Sequence, residues 1–302
     1  MSGLGTLEVD SGELYNADSI LSSEAESRYS PSLHSYNYEN GRRYHTYRDG
    51  SYMIPNDERE QERLDLAHHI MKMLLRGRLH RAVFPQPPRQ VLDCGTGTGS
   101  WAIDFADVNP ESLVVGIDLS PIQPSNIPPN CRFFVDDVES PWTFDSKFDF
   151  VHGRAMGGSI KDWDTLLQQA FENMNEGGVI ELQEFEAFYK SDDGTLERTT
   201  AIPIWTRHLN RATEMIGQPM NCAETMKERL ESRGFVDVRD DLYKAFEALE
   251  AFTLAPFTRV LGWSKEEMRE LMERVKAELS SARNHLYVLI HFTHGRKPAS
   301  KP

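Results

Sequence analysis

The sequence predicts an α/β protein built on a doubly wound, mostly parallel sheet flanked by helices. Three observations predict it. Short apolar segments suited to strands alternate with stretches of helical periodicity from residue 90 onward. A glycine-rich turn separates the first of these strands from the first of these helices, and acidic residues close three successive strands. The 302 residues are 39% hydrophobic and 26% charged, a balance that supports a sizeable core and excludes wholesale disorder.

The elements follow in order. Residues 1–35 are rich in Ser, Asp and Glu, have no sustained period, and read as a disordered acidic tail. Residues 36–84 read as a cap segment and a helix. Its aromatics, Tyr36, Tyr38, Tyr44, Tyr47 and Tyr52, are too dense to stay in water and either pack on the main domain or cover a ligand. Asn56 or Asp57 can cap the helix, with Glu58 and Glu60 suited to its positive end. Leu64, Ala67, Ile70, Met71, Leu74 and Leu75 then recur at helical spacing and carry the helix to about Leu79, before the Pro85-Gln86-Pro87-Pro88 break.

Residues 85–298 read as the main domain. Strands are expected over 90–93, 113–118, 132–135, 148–151 and 179–183, with helices over 100–108 and 163–174 between them. Helices over 200–216 and 223–233, a strand over 235–239, a helical region from 253 to 280 and a closing strand over 286–292 complete the chain as helical insertions around the sheet. No internal repeat or interdomain linker interrupts it.

Charge and cysteines limit the function. With 33 basic against 47 acidic residues the net charge is −14, which opposes direct nucleic-acid binding and attraction to anionic lipid. Cys94, Cys131 and Cys222 are odd in number and far apart, so neither a disulfide framework nor a metal site is encoded. The first residues lack the features of a secretory signal, and no long apolar run suits a membrane span. The expected location is cytoplasmic, with nuclear entry open because no cluster of Lys and Arg resembles a localisation signal.

The chemistry-bearing segment is Val91-Leu92-Asp93-Cys94-Gly95-Thr96-Gly97-Thr98-Gly99-Ser100. Glycines allow backbone angles closed to other residues and let the backbone approach a ligand closely. A nicotinamide fingerprint would need glycine where Ser100 stands, so the spacing is Asp-x-Gly-x-Gly-x-Gly. Asp118 ends the second strand, where a carboxylate can accept from both hydroxyls of a ribose. Asp137, with Val138 beside it, follows the third strand, and Asp136 competes for the same place.

This pattern resembles motif I of class I S-adenosylmethionine-dependent methyltransferases. More narrowly, Glu39-Asn40-Gly41-Arg42-Arg43-Tyr44-His45, Pro55-Asn56-Asp57-Glu58, Arg63-Leu64-Asp65, Asp118-Leu119-Ser120-Pro121, Glu139-Ser140-Pro141-Trp142 and Gly295-Arg296-Lys297-Pro298 resemble the fungal LaeA-like, velvet-associated methyltransferases. The resemblance covers about residues 38–298. It implies a seven-stranded, mostly parallel sheet with an N-terminal helical extension, and S-adenosylmethionine as cofactor with S-adenosylhomocysteine as product. Asp93, Gly95, Thr96, Gly97, Asp118 and Leu119 would meet the cofactor's amino-acid and ribose parts, and Asp137 and Val138 its adenine. Arg154 would anchor the cofactor carboxylate or an acidic substrate, and Tyr44 and Tyr52 would close the pocket. No catalytic residue is demanded by the chemistry; His152, Glu184 and His208 are the base candidates, with His152 first.

The implied function is methylation of a protein target, a histone or regulator, in fungal development or secondary metabolism. The alternatives are a small-molecule methyltransferase of a biosynthetic cluster, and a subunit paired with a paralogous methyltransferase or a velvet-type protein. The segment after Arg239 is shorter than in family members and runs almost directly toward a helix near Ala251, which would leave the substrate side more open or completed by another chain.

Overall fold

A computed structural model describes residues 36–39, 41–45, 53–245 and 256–299. The expected acidic tail, Tyr47 and Tyr52 lie outside them.

The described residues begin with a hairpin absent from the sequence expectations, β1 (Tyr36–Glu39) and β2 (Arg42–His45). Its signal was Asn40-Gly41, since Gly41 takes the left-handed φ of 79° that a tight hairpin turn needs. Helix α1 (Glu58–Leu74) starts at Asp57, whose side chain accepts from the Glu60 amide. It ends five residues before the expected Leu79, because Arg76 and Gly77 turn left-handed at φ 55° and 84°.

The sheet then follows: β3 (Gln90–Cys94), α2 (Ser100–Val108), β4 (Leu113–Asp118), β5 (Cys131–Val135), β6 (Phe148–Arg154), α3 (Trp163–Glu172) and β7 (Met174–Phe185). Helices α4 (Ala201–Met215) and α5 (Met226–Ser232), β8 (Val236–Ala245), α6 (Lys265–Leu279) and β9 (Val288–Arg296) complete it. Strand β8 runs six residues beyond the expected Arg239, held by antiparallel pairing to β9 as far as Ala245 opposite Val288. The residues between Ala245 and Pro256 lie outside the described set, as does the expected helix start near Ala251.

Seven strands lie in the order β5-β4-β3-β6-β7-β9-β8, with β3, β4, β5, β6 and β7 parallel and β9 antiparallel to both neighbours. Successive side chains of a strand point to opposite faces, and here both faces are apolar. Leu92, Val115, Val151 and Ile180 pack with Leu166 and Leu167 of α3 and Leu230 of α5. Val91, Val114, Phe150 and Val179 pack on the other face with Trp101 and Phe105 of α2. A third cluster joins Trp205 and Leu209 of α4, Leu271 and Val275 of α6, Met71 of α1 and the ends of β8 and β9.

The strand order reverses between β3 and β6. Ligands of open α/β sheets settle at such a reversal, outside the carboxyl ends of the strands.

Candidate functional site

A cavity of about 250 Å³ opens there. Its floor is the turn after β3, where Gly95, Gly97 and Gly99 have φ of 64°, 58° and 82°. The same turn shows two different uses of glycine. A Cβ on Gly99 would stand 2.4 Å from the Phe133 ring, so that glycine is needed for packing. A Cβ on Gly97 would meet only the tip of Leu64, at 3.4 Å, so that glycine faces open space in the cavity.

Asp118 closes β4 beside the turn. Its two carboxylate oxygens accept from the amides of Gly97 at 2.8 Å and Ser120 at 2.9 Å. Burial pushes its carboxyl above the ordinary range, and those amide bonds pull the other way. Leu119, Asp136, Asp137 and Val138 line the cavity at the ends of β4 and β5, so the two competing acids both reach it. Arg154, from the end of β6, lines the opposite side. Its Nη1 donates to His68 Nδ1 at 3.1 Å, and His68 Nε2 lies 2.9 Å from Asp104, which also holds Lys72. Asp65 of α1 accepts from Thr98 and Ser100 at 2.6 and 2.7 Å and fastens the helix to the turn.

A glycine turn, carboxylates at the ends of two strands and an arginine therefore converge on one cavity. Residues 66–240 match the family described as "Methyltransferase domain". The chain is 38% identical to a protein named methyltransferase pytC from Aspergillus terreus, over 95% of this chain and 94% of that one. It is 36% identical to the secondary metabolism regulator LAE1 of Cochliobolus heterostrophus, over 89% and 97% of the two chains.

The chain belongs to the LaeA-like methyltransferases. Its cofactor is S-adenosylmethionine. A phosphoethanolamine N-methyltransferase from Haemonchus contortus, solved with S-adenosylhomocysteine, aligns with a TM-score of 0.44 at 17% identity, covering 82% of this chain and 55% of that one.

Several expected site residues of this methyltransferase lie elsewhere. Asp93 is buried behind the turn, not in the cavity: Thr96 Oγ1 donates to it at 2.6 Å and His152 Nδ1 lies 2.7 Å from its other oxygen. Both oxygens are therefore engaged in holding the turn from beneath. His152 is fully buried and stacked on Trp101 at 3.7 Å, so it braces Asp93 and is not placed to take a proton at the cavity. Burial lowers its pKa against the pull of Asp93.

Tyr44 also misses the cavity. Strand alternation sends Arg43 toward Asn56 and Glu58 and Tyr44 the other way, onto Met53, Ile216 and Val260 with the Arg259 guanidinium over its ring at 4.4 Å. His208 packs edge-on against Trp263 and lies away from the cavity as well. The hairpin acts instead through its arginines. Arg42 pairs with Asp57 and Arg43 with Glu58, which ties the first two family motifs together at the start of α1.

Glu184 lies behind the cavity wall. Its carboxylate accepts from the amides of Met156 at 2.8 Å and Gly157 at 3.0 Å, bracing the bend at Ala155, whose φ is 55°. Burial pushes its pKa up to about 7, opposed by those two amides. Because the folded chain then keeps a proton that the unfolded chain releases nearer pH 4.5, stability falls as pH rises through that window, by about 3 kcal/mol for this one group. Glu184→Gln should remove that part of the fall, which urea unfolding at pH 5 and pH 8 would measure; parallel profiles for both proteins would refute it.

The roof and one wall of the cavity come from residues outside the sequence expectations for the site. Arg63, Leu64, Ala67, Ile70 and Met71 of α1 cover the cavity, and Phe185, Ala245, Val288 and Ile290 close its far end. The helical spacing of Leu64, Ala67, Ile70 and Met71 was a usable signal for the roof. No local signal marked the wall.

Proposed function

We propose that this methyltransferase acts in secondary metabolism, with the cofactor's ribose on Asp118, its adenine between Val138 and the Asp136–Asp137 pair, and its carboxylate on Arg154. Two relatives named as secondary metabolism regulators, and pytC, support the biological setting. The observation that carries the site assignment is Gly97, whose missing side chain leaves space beside a carboxylate that already fixes the turn.

When bound, S-adenosylmethionine supplies an electrophilic methyl group on a sulfonium. The chain's part is to bind, orient and exclude water. Alignment of that kind can supply up to roughly 7–11 kcal/mol of barrier lowering, more than a general base usually gives. The Asp65 bonds to Thr98 and Ser100 hold the roof closed over the turn, and the Glu184 brace fixes the position of Met156 in the wall. The acceptor in this reading is a protein or a small molecule, the alternatives the resemblance implies.

Calorimetric titration with S-adenosylmethionine, with NADH as control, tests the assignment. Asp118→Ala should weaken binding by roughly 1–3 kcal/mol through lost charge-assisted hydrogen bonds. Equal affinity of the two proteins would make Asp118 only a strap for the turn.

A second reading, pairing with a paralogous methyltransferase or a velvet-type protein, is favoured by β8. This ten-residue strand stands at the edge of the sheet and pairs only with β9 among the described residues. Co-purification with tagged chain tests it, and fluorescence of the same tagged chain tests the proposed cytoplasmic and nuclear location.

A further inference from the structure

The cavity has two chemically distinct halves, and the strand order separates them. Asp118, Asp136, Asp137 and the glycine turn come from the ends of β3, β4 and β5. On the other side of β6 the wall is made by Phe185 of β7, Ala245 of β8, and Val288 and Ile290 of β9, with Ile70 and Met71 of α1 opposite. These residues form one patch. Phe185 is the register partner of Ile290, Ala245 is that of Val288, and Met71, Ala245, Val288 and Ile290 belong to a single apolar cluster. None of the six side chains ionises or donates a hydrogen bond.

We infer that this half is the acceptor compartment and that it takes an uncharged, apolar small molecule. The inference rests on the cofactor occupying the polar half. An acceptor entering the far half exchanges water for carbon. That favours apolar surface and penalises a charged group, such as a lysine ammonium of a protein chain, which would lose its hydration with no hydrogen bond in return. Among the described residues lining the cavity, the acidic groups that could compensate an ammonium, Asp118, Asp136, Asp137 and Glu139, stand across β6 at the cofactor end. The compartment therefore selects against the protein acceptor that the sequence resemblance implies and for the small-molecule alternative.

The test uses the full chain saturated with S-adenosylhomocysteine and 1-naphthol as an apolar, uncharged probe, read by calorimetry. Binding of the probe is expected. Ala245→Phe, which fills the compartment from the edge strand, should weaken it at least 10-fold, and Ile290→Ala, which removes part of the wall, should weaken it 3- to 10-fold. Both variants should keep their affinity for S-adenosylhomocysteine within 3-fold, which also reports that they fold. Failure of the wild-type chain to bind S-adenosylhomocysteine would overturn the cofactor assignment itself. Cofactor binding without uptake of 1-naphthol, or uptake unaffected by both substitutions, would overturn the acceptor inference alone. Displacement of 1-naphthol by a lysine-containing histone H3 tail peptide of higher affinity would overturn it too, and would assign the compartment to a protein side chain.

Discussion

Gly97→Arg should abolish detectable binding of S-adenosylmethionine and leave the fold intact. The substituted side chain starts 3.4 Å from the tip of Leu64 and has no backbone in its way, so it extends into the cavity over the turn. The cost to the fold is the left-handed φ of 58°, worth about 1 kcal/mol for a non-glycine residue. The cost to binding is the loss of the space itself, expected to exceed 100-fold, about 2.7 kcal/mol. Gly99→Ala is the informative contrast. Its Cβ would stand 2.4 Å from Phe133, a half-buried ring packed against the core, so it should lower the melting temperature. Calorimetry and thermal unfolding of both variants separate the two roles. Retained affinity in Gly97→Arg would refute the placement of the cofactor on this turn.

Arg154→Ala should weaken S-adenosylmethionine binding by about 2–3 kcal/mol, the range for a hydrogen-bonded charge pair. The guanidinium lines the cavity and makes no ion pair among the described residues, while burial lowers its pKa. Decarboxylated S-adenosylmethionine should bind both proteins alike; a loss in Arg154→Ala as large as that for the intact cofactor would refute the assignment.

The same contact predicts a pH dependence. His68 Nδ1 accepts from Arg154 and its Nε2 donates to Asp104, so the ring must be neutral. Burial, then Arg154, lowers its pKa, and Lys72 adds to that, against the pull of Asp104. Protonation at acid pH puts a donor where the acceptor was and a second cation beside Arg154. Affinity should therefore fall at acid pH, on the acid side of the ordinary histidine range because the ring's pKa is lowered. His68→Gln should bind more weakly at neutral pH and lose this dependence. An unchanged acid limb in that variant would assign the dependence to another group.

The resemblance implies Tyr44 and Asp93 near the cofactor, and the structure sets both outside the lining of the cavity. Asp93 stands at the strand end that delivers the turn, but both of its oxygens are taken by Thr96 and His152, contacts that depend on β6 lying beside β3. Tyr44 lies in a segment with a clear motif, but the hairpin turns Arg43 toward Asn56 and Glu58 and Tyr44 toward Met53, Ile216 and Val260. The Nδ1 of His152 is likewise partnered inside the core, by a neighbour 59 positions earlier in the chain.

The sequence by itself determined the glycine turn, the acids at the ends of β3, β4 and β5, and the alternation that makes the sheet. Each is encoded within a few residues, because backbone angles and side-chain periodicity are local properties. Only the tertiary structure decided which of those acids reaches the cavity, that α1 roofs it, and that β7, β8 and β9 furnish an apolar far wall. Those outcomes depend on strand order and register, which bring Met71 and Ile290 into one cluster although 219 positions separate them. Contacts of that range are selected by the burial of whole faces against one another, and no short window of the chain contains both partners.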